Sequence, residues 1–376
     1  FWLIYEEAMA GEWTIVRKPE WQSNFNSVFF VDKNTGWVAG QKGTVLHTKD
    51  GGKTWTPQPS ELGNPIYSVY FADKDNGWLF GMDNMLKTND GGNTWMPMLS
   101  EAGPPGPPPG GAFEGPPGGT FEGPPPGESP EGPPRRRMTS GIRKASFSAM
   151  PKIWGIDLMG RLVTLTEEGI NPVLITTQRL TSVAFASPEI GCAVGEYGAI
   201  FTTTDGGKNW TFLPKTQADV LMSVCSASKD NIWSVGLNGT AFQSTDGGKT
   251  WVKKDIGTNA GIYNIGFADA NNGWAIVRVI RRRGGLEEGG GVEAHGAIYK
   301  TSDGGKTWVE QFETDATDIA IVNSQLAFIC GSNGAIFKTS DGGNNWEKLD
   351  SGVAWDLNDI HFINPQYGWA VGWGEW

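Results

Sequence analysis

An eight-residue pattern, Ser/Thr-x-Asp-Gly-Gly-x-Thr/Asn-Trp, occurs six times in this chain and constrains its fold more than any other feature. The copies carry Asp50 and Trp55, Asp90 and Trp95, Asp205 and Trp210, Asp246 and Trp251, Asp303 and Trp308, and Asp341 and Trp346. Asp-Gly-Gly suits a tight turn between antiparallel strands, because Asp accepts hydrogen bonds from nearby backbone N–H groups and Gly takes positive φ without steric cost. The Ser/Thr two residues earlier can join that local network. Recurrence at a fixed period is the signature of a repeat architecture.

A second column precedes the first. Trp37, Trp78, Trp154, Trp233, Trp274 and Trp369 occupy it, with Cys192 and Phe328 in the two remaining copies. Short alternating runs such as Thr44 to Thr48 and Ala335 to Thr339 have strand periodicity. Each unit reads as four strands, a to d; in the first copy a is Ser27 to Val31, b is Trp37 to Gly40, c is Thr44 to Thr48, and d starts at Thr54. Trp55 to Trp78, Trp210 to Trp233, Trp251 to Trp274 and Trp346 to Trp369 are each 23 residues apart, so the connection between units has a fixed length.

Two insertions break the period, a Pro/Gly-rich one at 101–137 and an Arg/Gly-rich one at 278–295. Without the excess residues, the 376-residue chain divides into eight units of roughly 40 residues. One unit, beginning at Trp154, is degenerate: Glu167 replaces the turn Asp and Pro172 the following Trp. Another is split, with Asp359 to Gly372 supplying strands a and b while Phe1 to Tyr5 and Trp13 to Val16 align with c and d. Four-stranded units of this length indicate an all-β β-propeller filling 1–376 as one domain, eight-bladed with seven as the alternative count. Splitting a unit between the termini closes the ring and leaves no open edge strand there. A linear β-solenoid is the competing architecture, but it needs no complementary termini.

Composition agrees: 54 Gly and 18 Trp disfavour long helices. The net charge of −11 argues against a nucleic-acid partner. No run approaches the roughly 20 apolar residues of a transmembrane helix, which leaves peripheral membrane association open. The three cysteines, Cys192, Cys225 and Cys330, lie in apolar stretches without metal-ligand spacing and read as buried thiols. No metal or cofactor is expected. The Asp-box aspartates recur in every well-formed unit and therefore read as structural, since repeat-wide residues serve folding. Asp73 to Gly77 and Asp269 to Gly273 resemble pieces of a calcium loop but lack its spaced ligands, and read as turns between a and b.

Function is expected where units differ. One insertion lies between d and the next a, the other between b and c, so both emerge on one face of an up-and-down blade; the Asp-Gly-Gly turns lie on the other. The first holds 13 of the 23 Pro, a composition that favours extended conformations. It ends in Arg135, Arg136 and Arg137, and the second contains Arg281, Arg282 and Arg283. One reading is a solubilising loop, with Arg281 to Arg283 answered by Glu287 and Glu288. The other is a partner-binding surface, because Arg forks pair bidentately with carboxylate and phosphate.

The octapeptide is the Asp-box, or BNR repeat. Asn76-Gly77-Trp78-Leu79-Phe80-Gly81 followed by Lys87 to Trp95, together with the solitary opening strand Glu12 to Val16, resembles the photosystem II stability/assembly factor family. That resemblance implies a non-enzymatic propeller in a lumenal, periplasmic or other extracytoplasmic compartment, docking on a membrane-embedded photosynthetic complex through an arginine-rich surface. Departures are the eight-unit count, against seven blades in those factors, and the Pro-rich insertion. The sialidase Arg-Ile-Pro signature is absent, and no Asp/Glu pair stands out for glycoside hydrolysis. The alternative function is a secreted carbohydrate-binding or glycosidase-like Asp-box propeller, in which exposed Trp would stack sugars.

Overall fold

The computed structural model describes residues 3–7, 13–16, 24–81, 85–98, 142–146, 153–157, 159–166, 169–173, 175–213, 220–281 and 293–373. Among these residues the regular elements are β-strands and three short 3-10 turns, and the strands pair into eight four-stranded antiparallel sheets. We number the sheets in sequence. The first contains Phe25–Phe30, Gly36–Gly40, Val45–Thr48 and Thr56–Pro57 as strands a to d. In the second to fifth sheets, strand a is Ile66–Phe71, Ile142–Ser146, Leu180–Phe185 and Leu221–Ser226. The sixth contains Gly261–Phe267, Gly273–Arg281, Glu293–Thr301 and Val309–Glu313, and the seventh Ala316–Ile321, Ala327–Gly331, Ile336–Thr339 and Glu347–Leu349.

The eighth sheet joins the two ends of the sequence. Its order is Trp13–Val16, Leu3–Glu7, Tyr367–Trp373 and Asp356–Asn364, with Leu3 opposite Val371. Each strand a packs against strand a of the next sheet, and Asp356–Asn364 packs against Phe25–Phe30 of the first. The sheets therefore form a closed ring, a β-propeller, and the solenoid is excluded.

Strand boundaries differ from the expected ones for physical reasons. Strand a of the first sheet begins at Phe25 and ends at Phe30, because a β-bulge lets Phe25 pair with Gly40 before Ser27 pairs with Ala39. The same one-residue shift occurs in strand a of every sheet. A bulge sharpens local twist, which bends each inner strand around the axis. Strand c starts at Val45, and d only at Thr56, because Trp55 is still held by the turn through its indole N–H on the Gly52 carbonyl, 2.8 Å away. The degenerate third sheet keeps its d strand, Gly169–Val173, with Pro172 opposite Val163 at the outer edge, where Pro is tolerated.

The core consists of aromatic sandwiches between sheets. Trp37 stacks on Phe71 of the next sheet at 3.3 Å, and Trp95 meets Phe71 edge-on at 5.9 Å. Trp369 and Trp55 enclose Phe30 in the same way. Trp154, Phe185 and Trp210 and then Trp233, Phe267 and Trp308 repeat the set, whereas Ile321 takes the Phe position between the sixth and seventh sheets and Phe328 takes the strand-b Trp position between the seventh and eighth. Gly77 precedes Trp78 because a Cβ there would lie 2.4 Å from the Phe71 ring. Of the cysteines, Cys192 and Cys330 are buried but Cys225 is only half-buried. It holds the inner-strand position that Phe29 holds in the first sheet, and an apolar sequence context does not distinguish the inner wall from the core.

Candidate functional site

All six Asp-box turns close the same hydrogen-bond net. In the first, Thr48 Oγ1 donates to Asp50 Oδ1 and accepts from the Gly52 N–H, while Asp50 accepts the Thr54 N–H and hydroxyl on its two oxygens. The turns at Asp90, Asp205, Asp246, Asp303 and Asp341 repeat it, with Asn209 and Asn345 replacing Thr as the final donor. These bonds favour the charged carboxylate. Asp205 is held down at about 2 by the Asn209 N–H and side chain; Asp246 and Asp303 are held at about 2 by the hydroxyl and N–H of Thr250 and Thr307. The carboxylates are occupied by their own turns, and no cluster of three or more metal-ligating side chains occurs among the described residues.

Arg135, Arg136, Arg137, Arg282 and Arg283 fall outside the described residues; Arg281 is the last residue of strand b and pairs in register with Glu293. The ladder of the sixth sheet runs on through Arg278 and Val279, so the flanks of the 278–295 insertion are strand. Arg278, which belongs to neither triplet, donates through Nε and Nη2 to the Ala316 carbonyl of the seventh sheet, at 3.1 and 2.6 Å.

The inner wall holds a second set of polar residues. Just after four of the eight bulges, one side chain accepts a backbone N–H from the next sheet: Ser27 from Val69, Ser182 from Val224, Asp318 from Ile360 and Asp359 from Val28. These bonds satisfy donors that the bulge removes from the ladder. Asp359 shares a hydrogen bond with Asp318, and burial together with that neighbouring charge raises its carboxyl well above the usual range. Burial likewise pushes up the thiol of nearby Cys330. The repeat alignment carries the signal, a column of Ser27, Ser68, Ser182, Ser223, Asn264, Asp318 and Asp359, but the pairing of its last two members requires the inner strands of the seventh and eighth sheets to pack together.

The third feature is a cleft of about 290 Å³ on the Asp-box face between the sixth and seventh sheets. Its floor is Lys300 and Gln311; Ser324 and Gln325 of an a-to-b turn and Gly342 and Asn344 of the next Asp-box form its far wall. The Lys300 ammonium sits 3.5 Å above the Trp274 ring and donates to Asn272 Oδ1 at 3.3 Å. Burial lowers its pKa to about 8. The strand-c position opposite the column residue varies between units, with His47, Lys87, Thr164, Thr202, Gln243, Lys300 and Lys338 in the first seven sheets.

Residues 5–110 match the family model of the photosynthesis system II assembly factor YCF48. No curated protein matches the chain significantly. Among solved structures, YCF48 bound to D1 peptide aligns at 18% identity over 96% of each chain with a TM-score of 0.49. YCF48 from Cyanidioschyzon merolae aligns at 18% identity over 95% of this chain and 97% of that one, also at 0.49. The computationally designed Ika8 protein aligns at 12% identity over 94% of this chain and 97% of that one, with a TM-score of 0.62, a likeness of fold alone. Sequence motifs, ring architecture and the match over 5–110 together identify an Asp-box β-propeller that resembles the photosystem II assembly factors.

Proposed function

We propose that this protein is a non-enzymatic, extracytoplasmic scaffold that assists assembly of a membrane-embedded photosynthetic complex. The observation that carries the reading is the match of residues 5–110 to an assembly-factor family, on a chain whose repeated aspartates are all consumed by their own turns. We count each four-stranded sheet as a blade, giving eight. The partner-binding face is the one that carries both insertions, and Arg135 to Arg137 and Arg281 to Arg283 supply guanidinium forks for carboxylates of the partner.

The carbohydrate alternative has less support. The column tryptophans are buried between sheets, and Trp355, 37% exposed, is the one exposed Trp among the described residues. The test is purification of the tagged protein from native photosynthetic membranes under mild detergent. The expected result is capture of a pigmented complex, with D1-type peptides competing for it. Glycan binding or glycosidase turnover without capture would overturn the reading.

A further inference from the structure

The split eighth sheet is tied to both of its neighbours by carboxyl groups. Asp318 of the seventh sheet accepts the Ile360 N–H of the eighth at 3.3 Å, and Asp359 of the eighth accepts the Val28 N–H of the first at 3.1 Å. The two carboxyls are also hydrogen-bonded to each other. An ionised carboxylate is acceptor-only, so that bond exists only while one of the pair carries a proton. In two other seams the acceptor at this place is a neutral hydroxyl: Ser27 takes the Val69 N–H and Ser182 the Val224 N–H. The neutral Asn264 amide reaches Asp318 Oδ1 from the sixth sheet at 3.5 Å, and Ser27 donates to Asp359 from the first.

We infer that the Asp318–Asp359 pair is a proton-held latch on the inner wall of the ring, closed while the pair shares one proton and released at the split sheet when both carboxyls ionise. Two like charges at hydrogen-bond distance repel, and burial weakens the screening between them. One carboxyl must then move away, and the N–H that it accepts, Val28 or Ile360, loses its partner. The surrounding groups do not titrate in place of the pair. Burial lowers His361, on the same strand as Asp359, so its ring is neutral at pH 7 and above. Burial also keeps the Cys330 thiol protonated. Strand Phe25–Phe30 of the first sheet has no titratable side chain, and Asp356 is engaged at the start of its own strand by the Asn333 N–H. On the sixth sheet Arg278, over the Tyr263 ring and on the Ala316 carbonyl, stays charged throughout. Farther out, Phe328 stacked on Phe362 at 3.8 Å and Phe30 on Trp369 at 3.4 Å hold the same two seams without a proton. Release therefore loosens the inner strands and leaves the sheets packed. The latch is independent of the scaffold reading, which stands whether or not the latch exists.

The experiment follows amide hydrogen exchange of the full chain by NMR from about pH 6.5 to about pH 8.5, with urea up to about 1 M to separate local opening from global unfolding. With the latch open both carboxyls ionise above about pH 4, so closing takes up a proton from solution. Closure is therefore favoured at low pH and lost as pH rises. The expected result is urea-independent protection at Val28 and Ile360 that falls about tenfold per pH unit until the pair is itself ionised. Val224, bonded to the Ser182 hydroxyl, should show no such dependence, and Asp359→Asn should abolish it at Val28 and Ile360. Protection at Val28 and Ile360 that does not change with pH would overturn the proposal. So would the same pH dependence at Val224, exchange of Val28 and Ile360 only through global unfolding, or a pH dependence that persists in a folded Asp359→Asn protein. Should that variant not fold, Val28 and Ile360 against Val224 in the unmodified chain decide alone.

Discussion

The seam between the first and second sheets and the seam between the sixth and seventh share a buried strand-b Trp and an Asp-box Trp, but Ile321 stands in the second where Phe71 stands in the first, and only the second opens into a cleft. Both place a fully buried Trp on strand b, a polar residue opposite it on strand c and a Gln two residues after the start of strand d: Trp37, His47 and Gln58 in one, Trp274, Lys300 and Gln311 in the other. In the first seam the His47 ring lies parallel to Trp37 at 4.6 Å, and Gln58 Nε2 lies 3.4 Å from His47 Nδ1. Burial lowers the His47 pKa to about 4, so a flat, neutral ring fills the gap at neutral pH. In the second seam a flexible charged stem replaces the ring, leaving the cleft. The two seams thus differ at two positions, His47 against Lys300 on strand c and Phe71 against Ile321 on strand a.

The most disruptive way to probe the comparison is to remove that Trp. Trp37→Ala and Trp274→Ala should each cost about 3–5 kcal/mol in urea unfolding. Trp37→Ala should be worse by about 1 kcal/mol, because it also strips the Gly91 carbonyl of its donor. Equal costs would mean that the missing Trp274 bond does not distinguish the seams.

The seam from the seventh sheet to the eighth extends the comparison to the inner wall, where Asp318 and Asp359 stand in place of the Ser27 and Ser182 type of acceptor. With its folded pKa raised, Asp359 holds a proton that the unfolded chain releases above about pH 4. Its contribution is therefore present at low pH and is lost as pH rises toward the folded value. Asp359→Asn keeps an acceptor for the Val28 N–H and should flatten that decline in pH-dependent denaturation curves. An unchanged slope would show that the pair does not titrate in this window.

The Asp-box turns have the opposite sign. Asp205, Asp246 and Asp303, held near 2, favour folding above the ordinary carboxylate pKa of about 4 and lose that contribution as pH falls toward 2. Asp246→Ala, which deletes acceptors for Ser244 and Thr250, should cost about 1 kcal/mol at neutral pH and weaken the acid limb of the same curves. The smallest stability effect is expected from exchanging the seam residues themselves. Lys300→His and His47→Lys should each change stability by about 1 kcal/mol or less.

The ring was legible in sequence because six Asp-Gly-Gly turns and a fixed Trp spacing repeat what folding needs in every unit. The split sheet was legible too, since Phe1 to Tyr5 with Trp13 to Val16 supply one half of a unit and Asp359 to Gly372 the other. What escaped depends on neighbours distant in sequence. Lys300 shares its cleft with Gly342 and Asn344 of the next sheet, and Asp318 meets Asp359 only once the inner strands of the seventh and eighth sheets pack together. Arg278 likewise gave no signal, because its partner is a backbone carbonyl 38 residues away.

The most direct test of the central claim, that the repeated residues build the ring and the unshared arginines engage the partner, replaces all six of Arg135 to Arg137 and Arg281 to Arg283 with Ser. Thermal unfolding of the variant is measured alongside its capture of the pigmented complex in mild detergent. The expected result is an unchanged melting temperature with capture lost. Capture retained at the level of the unmodified protein would contradict it.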